Sequence, residues 1–197
     1  MPPDGASSKV DDGIAGLHRL FVTSAGTARR LGIPESHWVY PHAGTDAWDH
    51  LFVSERDNLY SSPAIRFSGR RLLEMAGVEA GDLDFVDLYS CFPSAVQVAA
   101  RELGLSLERG LTVTGGLTFA GGPLNNYVMH AIARSVELLR QRPGALGLVT
   151  ANGGMLTKHA LCLYSTAAPE APFQWENVQS EVEATAKREV LLDHAGE

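Results

Sequence analysis

Cysteine is scarce: only Cys91 and Cys162 occur in 197 residues. Two thiols this far apart do not build the framework of a disulfide-stapled domain, and they suit a reducing, cytoplasmic setting. Basic residues are also short, 16 against 23 acids, for a net charge of -7. A nucleic-acid binder needs a basic face, so the bulk charge argues against that class. No apolar run approaches the ~20 residues that a membrane span requires. The start lacks the basic, apolar and small-residue succession of a secretory signal. What is present is an ordinary globular balance, 45% hydrophobic and 20% charged, which excludes a wholly disordered chain. The length favours one domain, or one domain with a tail.

The organisation follows from periodicity and breakers. Residues 1–12 mix Pro, Gly, Ser and Asp without an apolar period and read as a flexible lead-in. Residues 13–166 read as one domain. Residues 167–197 open with an Ala/Pro/Glu stretch and continue in acidic, apolar-poor sequence, as a linker and the start of a further segment. Inside the domain, strands are expected at 19–23, 38–40, 84–88, 111–114, 145–150 and 160–164. Helices are expected at 25–31, from Pro63 to Gly77, over 93–103 and over 125–141, where apolar residues recur at helical spacing and Gly or Pro marks the ends. Residues 42–61, rich in Asp, Asn, His and aromatics, read as a long loop. Strands alternating with helices predict an α/β fold: a mixed sheet of about five strands, helices on both faces, and a last strand returned antiparallel by the turn at Asn152-Gly-Gly154.

Three turns, 89–92, 115–126 and 150–154, fall at the carboxyl ends of successive strands, where open α/β sheets bind ligands. Their residues carry a resemblance. Tyr89-Ser-Cys-Phe92 stands where thiolases have Asn-Glu-Ala-Phe or His-Asp-Cys-Phe. Thr114-Gly-Gly-Leu-Thr-Phe-Ala-Gly-Gly-Pro123 stands where they have Asn-Gly-Gly-Ala-x-x-x-Gly-His-Pro, and Thr150-Ala-Asn-Gly-Gly154 where they have Cys-x-Gly-Gly-Gly. In this order and spacing, residues 13–166 resemble the C-terminal half of a thiolase-superfamily subunit, closest to the thiolase-like proteins that carry an additional C-terminal domain.

The resemblance implies an acetyl-CoA acetyltransferase-like protein of lipid, fatty-acid or sterol metabolism. Its ligand or substrate would be a coenzyme A thioester, with no tightly bound cofactor. The partners implied are an N-terminal thiolase half, acyl-CoA, and a homo-oligomer or partner protein, without nucleic acid or membrane. The departures weaken the acyltransferase chemistry. By the resemblance Gly122 stands for the thiolase histidine, and the place of the acid/base cysteine falls at Thr150 or Ala151, so no proton-exchanging side chain stands there near pH 7. The chain alone is therefore expected to be inactive as a thiolase. Two other readings are a retro-aldolase acting on a steroid side-chain CoA thioester, with Tyr89 as its acid, and a structural subunit of a larger complex.

The candidate substrate-binding residues are Ser90, Cys91, Phe92, Gly121, Gly122, Asn125, Asn126, Asn152, Gly153 and Gly154, with Tyr89 as the candidate catalytic residue. Each has a plainer reading beside it. Cys91, where a strand meets a helix start, is a nucleophile by position and a buried structural thiol by precedent. Gly121-Gly122-Pro123 is an anion cradle or merely a tight turn. His130 is expected on the solvated face of its helix. His42, Asp46, Asp49 and His50 have the residue types of a zinc cluster but read as a polar loop without metal.

Overall fold

The computed structural model describes residues 20–190. Helix α1 (Ala25–Arg30) leads into strand β1 (Tyr40–Trp48), followed by helix α2 (Pro63–Ala76) and strand β2 (Phe85–Asp87). Helix α3 (Pro93–Glu102), the single turn α4 (Leu117–Ala120) and the long helix α5 (Tyr127–Gln141) precede the hairpin of β3 (Leu146–Gly153) and β4 (Lys158–Ser165). Strand β5 (Gln174–Asn177) and helix α6 (Gln179–Glu183) complete the order. The sheet runs β2-β3-β4-β1-β5. β2 pairs parallel with β3, and β1 with β5, while β4 lies antiparallel to both of its neighbours. Among the described residues no helix is long and apolar enough to cross a membrane.

The helices sit where sequence signals place them. Ser62 caps α2 by accepting the Ile65 N–H at 3.2 Å, Pro63 occupies its first turn, and Gly77 ends it at φ 65°. Ile65 and Leu72 of α2 and Val98 of α3 pack with Leu148, Leu161 and Leu163 of the central strands into the main core. Gly147 precedes Leu148 and so faces the other side of the sheet. There a Cβ on Gly147 would lie 3.6 Å from Leu139 of α5, which places α5 on the opposite face. The mixed α/β sheet with helices on both faces and the 160–164 strand antiparallel is therefore as expected, although that strand lies inside the sheet.

The strand list needs correction. Of the expected strand at 19–23, residue 19 lies outside the described residues, and Phe21 and Val22 are 89% and 94% exposed with no ladder partner. Residues 111–114 form no ladder either: Val113 and Thr114 give their N–H groups to the Asp87 carboxylate instead. Conversely, the expected strand at 38–40 begins at Tyr40 and runs on to Trp48, through much of the stretch read as loop. It is built from small residues, Ala43, Gly44, Thr45 and Ala47, all buried. Its polar Asp46 escapes burial cost by accepting from Trp175 Nε1 and Asn177 Nδ2, each at 2.6 Å, across the ladder to β5. The close fit extends to Gly44, where any Cβ would fall 2.2 Å from the Trp175 ring. Within the segment expected to be a linker and a further segment, Val178 and Val182 are buried against Ala47 and Ala64. Arg71 also grips Glu176 through two hydrogen bonds of 2.6 and 2.7 Å.

Candidate functional site

Strand β2 is only three residues long, and its end is fixed by one buried side chain. Asp87 Oδ2 accepts from Val113 N at 2.9 Å, Thr114 N at 3.1 Å and Thr114 Oγ1 at 3.0 Å, and Oδ1 accepts from the Tyr127 hydroxyl at 3.0 Å. Burial pushes the Asp87 carboxyl above the usual range, against the pull of these donors. Burial and the neighbouring carboxylate push the Tyr127 phenol up as well, so it stays a donor. The network draws residues 113–116 against the β2 end in place of a strand ladder. Gly116 (φ 81°) closes the turn, and a Cβ there would come 2.8 Å from Ser90 Oγ.

The loop after β2 is held from two sides. Tyr89 N donates to Thr150 Oγ1 at 2.9 Å, and Ser90 Oγ accepts from Leu117 N at 3.1 Å. Cys91 Sγ accepts from Asn152 Nδ2 at 3.2 Å. The Tyr89 ring stands edge-on to Tyr127 at 5.2 Å. Burial, and secondarily the neighbouring Cys91, raise the Tyr89 phenol, which therefore remains protonated near neutral pH. The structure thus unites Tyr89, Ser90, Cys91 and Asn152 of the expected site. Phe92 is 67% exposed. Gly153 is the last ladder residue of β3, paired with Lys158, and Gly154 opens the hairpin turn at φ 67°. Gly121, Gly122, Asn125 and Asn126 lie on the surface segment before α5. Among the described residues no hydrogen bond joins these four to the Tyr89 group. Asn126 Nδ2 instead lies 3.2 Å from His130 Nε2, and His130 is buried rather than on the solvated face expected for it.

A narrow cleft opens beside Tyr89, lined by Thr150, Ala151, Asn152 and His159 with the apolar Ile65, Ala95 and Leu156. His159 was not among the expected site residues. Its signal lies in alternation: 159, 161, 163 and 165 are the buried positions of β4, so a histidine at 159 must face inward. Behind it sits Asp49, marked in the sequence only as part of a polar cluster. That cluster is dispersed. His42 contacts Ala167 O, Asp46 bonds Trp175 and Asn177, and His50 contacts Thr185. Asp49 accepts from Ala64 N at 3.0 Å and from the Ser62 hydroxyl, both at the N-terminus of α2. Its own N–H donates to Thr157 O at 2.8 Å, tying it to the hairpin. Burial opposes the Asp49 charge, but His159, Ser62 and Ala64 together outweigh it and hold the carboxyl below the usual range.

No protein-family model matches the chain, and no curated protein matches it. Solved structures do. A monomeric SCP2-thiolase-like protein type 1 from Mycobacterium smegmatis is 39% identical, with a TM-score of 0.75 over 84% of this chain and 37% of that one. The peroxisomal 3-ketoacyl-CoA thiolase of Saccharomyces cerevisiae is described as five layers built from two core domains of identical topology. It aligns at 16% identity and a TM-score of 0.55, over 70% of this chain and 36% of that one. The chain therefore spans little more than a third of either protein. The identity over most of its length to the SCP2-thiolase-like protein, with the shared fold, places this chain in the thiolase superfamily, as a thiolase-like half.

Proposed function

We propose that this chain is the part of a thiolase-like protein that holds an acyl-CoA thioester at the cleft beside Tyr89, with little or no thiolytic activity. The observation that carries the reading is the chemistry of the cleft wall. Thr150 and Ala151 line it where thiolases resemble this chain but carry an acid/base cysteine, and neither side chain exchanges protons near pH 7. Ile65, Ala95 and Leu156 give the cleft an apolar lining around only about 10 Å³, room for a water, so the thioester would sit at its mouth beside Tyr89. A role in lipid metabolism follows from that ligand class. A second reading, retro-aldol cleavage of a CoA thioester, is favoured by the protonated Tyr89 phenol on the same cleft.

The test is calorimetric titration of butyryl-CoA against the full-length protein, with a thiolysis assay alongside. Ala151→Leu narrows the cleft and is expected to weaken binding tenfold or more, while turnover stays at background. Unchanged affinity in Ala151→Leu would place the thioester elsewhere, and thiolytic turnover by the wild type would overturn the chemical part of the reading.

A further inference from the structure

Asn152 and His159 are ladder partners, paired directly across the β3–β4 hairpin, and both line the cleft beside Tyr89. Side chains so placed stand on one face about 5 Å apart at Cβ. The cleft they share with the apolar Ile65, Ala95 and Leu156 holds about 10 Å³, room for one water molecule. Asn152 gives its amide nitrogen to Cys91 Sγ, which leaves the buried Oδ1 without a donor among the described residues. Buried polar atoms in folded proteins are paired almost without exception. A space this small, with polar groups on one side, takes water rather than any larger group.

His159 is placed to act on that water. Its side chain is 2% exposed, and its Nε2 lies 3.4 Å from Asp49 Oδ2. Burial opposes the Asp49 charge, but His159, Ser62 and Ala64 hold the carboxyl below the usual range, so it is ionised near neutral pH. An ionised carboxylate only accepts, so the ring proton belongs on Nε2, facing it. Nδ1 is then the basic nitrogen, and with Nε2 turned to Asp49 it is the one left to the cleft. A water there donates one hydrogen to Asn152 Oδ1 and the other to His159 Nδ1, which turns its lone pairs toward the mouth. The Asp49 contact is long for a hydrogen bond, as the contacts of a catalytic pair often are before substrate is bound.

We propose that the cleft binds one water molecule between Asn152 and His159, and that this water hydrolyses an acyl-CoA thioester seated at the mouth. The inference rests on the acyl-CoA reading above and adds a reaction to it. His159 is the general base. Asp49 is a positioning residue, because its carboxylate fixes the ring without touching water or thioester. The protonated Tyr89 phenol, on the same cleft, donates to the carbonyl oxygen. The water oxygen bonds to the thioester carbon as one of its protons passes to Nδ1. The carbon–sulfur bond then breaks, the coenzyme A sulfur takes the proton from His159, and the acid product loses its own proton to solvent. The bond broken is carbon–sulfur, so the reaction differs from the carbon–carbon cleavage of thiolysis.

The experiment incubates the full-length protein with butyryl-CoA in water enriched in heavy oxygen, and measures butyrate and free coenzyme A by mass spectrometry. Calorimetric binding of butyryl-CoA runs alongside. The wild type is expected to release the two products in equal amounts, about tenfold or more above the rate without protein, with a labelled oxygen in the butyrate. His159→Gln is expected to lower kcat about a hundredfold, the usual loss of a general base, with affinity within about twofold. Asp49→Asn is expected to lower kcat about tenfold with KM within about twofold, a split that a merely loosened fold does not give. Thermal unfolding checks that each variant folds, and if His159→Gln does not, Asn152→Ala carries the same comparison. Binding without hydrolysis, or hydrolysis unchanged in the folded variant, overturns the inference and leaves the acyl-CoA reading standing. Failure to bind butyryl-CoA overturns that reading and the inference with it.

Discussion

Two aspartates are buried at carboxyl ends of parallel strands in the same sheet, and they are built in opposite ways. Asp87, at the end of β2, is closed on all sides: four donors from Val113, Thr114 and Tyr127 fill its lone pairs. Asp49, just after β1, takes two donors from the start of α2 and leaves a loose contact to His159, which faces the cleft. The first arrangement is a knot that shapes the turn at 113–116. The second is an open chain of polar groups that ends on the wall of the cleft. Burial raises one carboxyl, whereas its hydrogen-bond partners lower the other. Burial alone therefore does not set the state of a buried acid, and its partners decide which way it moves.

The contrast is broken most severely at Asp87. Asp87→Ala strands the Val113 and Thr114 N–H groups and the Tyr127 hydroxyl, and is expected to cost about 3–5 kcal/mol, read as a lower urea midpoint at pH 7. Asp49→Asn is expected to cost less, about 1–2 kcal/mol at pH 7, and to alter the acid limb of stability. The Asp49 carboxyl is lowered in the folded state, so its contribution is present above the unfolded value of 3.8 and is lost as pH falls through the lower folded value. Asp87 is raised, so the stability it contributes through protonation is present below 3.8 and is lost as pH rises through its folded value. Midpoints measured between pH 2 and 7 should therefore fall less steeply with acid in Asp49→Asn than in wild type. An unchanged acid limb would remove Asp49 as its source. The finest comparison lies between two touching rings. Tyr127→Phe removes a hydroxyl shared by Asp87 and Thr114, with an expected loss of about 1 kcal/mol. Tyr89→Phe should change stability by less than about 0.5 kcal/mol, because the Tyr89 backbone N–H makes the structural bond. Equal losses in the two variants would erase the distinction.

The parts of the fold that could be read in advance are those where periodicity and breakers agree. Helix α2, with Ser62, Pro63 and Gly77 at its ends, and the β3–β4 hairpin, with Asn152-Gly-Gly154 at its turn, fall close to expectation. The loop of Tyr89, Ser90 and Cys91 was visible because short strand-end motifs stood in order. Strand β1 was illegible because its buried residues are small and its polar ones find partners far away in sequence: Asp46 on β5, Thr45 at Ser68 and His42 at Ala167. Residues 111–114 have strand-like side chains, but the Val113 and Thr114 N–H groups are claimed by Asp87, a contact across 26 and 27 residues that local pattern does not encode. His159 and Asp49 escaped for the same reason, since each acquires its meaning from a partner distant in sequence.

The pairing of β1 also governs how the chain reaches this fold. Tyr40 lies opposite Ser165 and Trp48 opposite Lys158, and the other edge of β1 meets residues 174–177. Both ladders join the earliest strand to the latest ones. During synthesis β1 therefore waits with two bare edges until nearly the whole domain has emerged, and such long-range closure is slow. A waiting strand of Val, Ile and Phe would invite pairing with other chains. Pro41, His42 and Asp46, with the small residues between them, make β1 a poor template for such association. The polarity that disguises β1 as a loop is what keeps it available for β4.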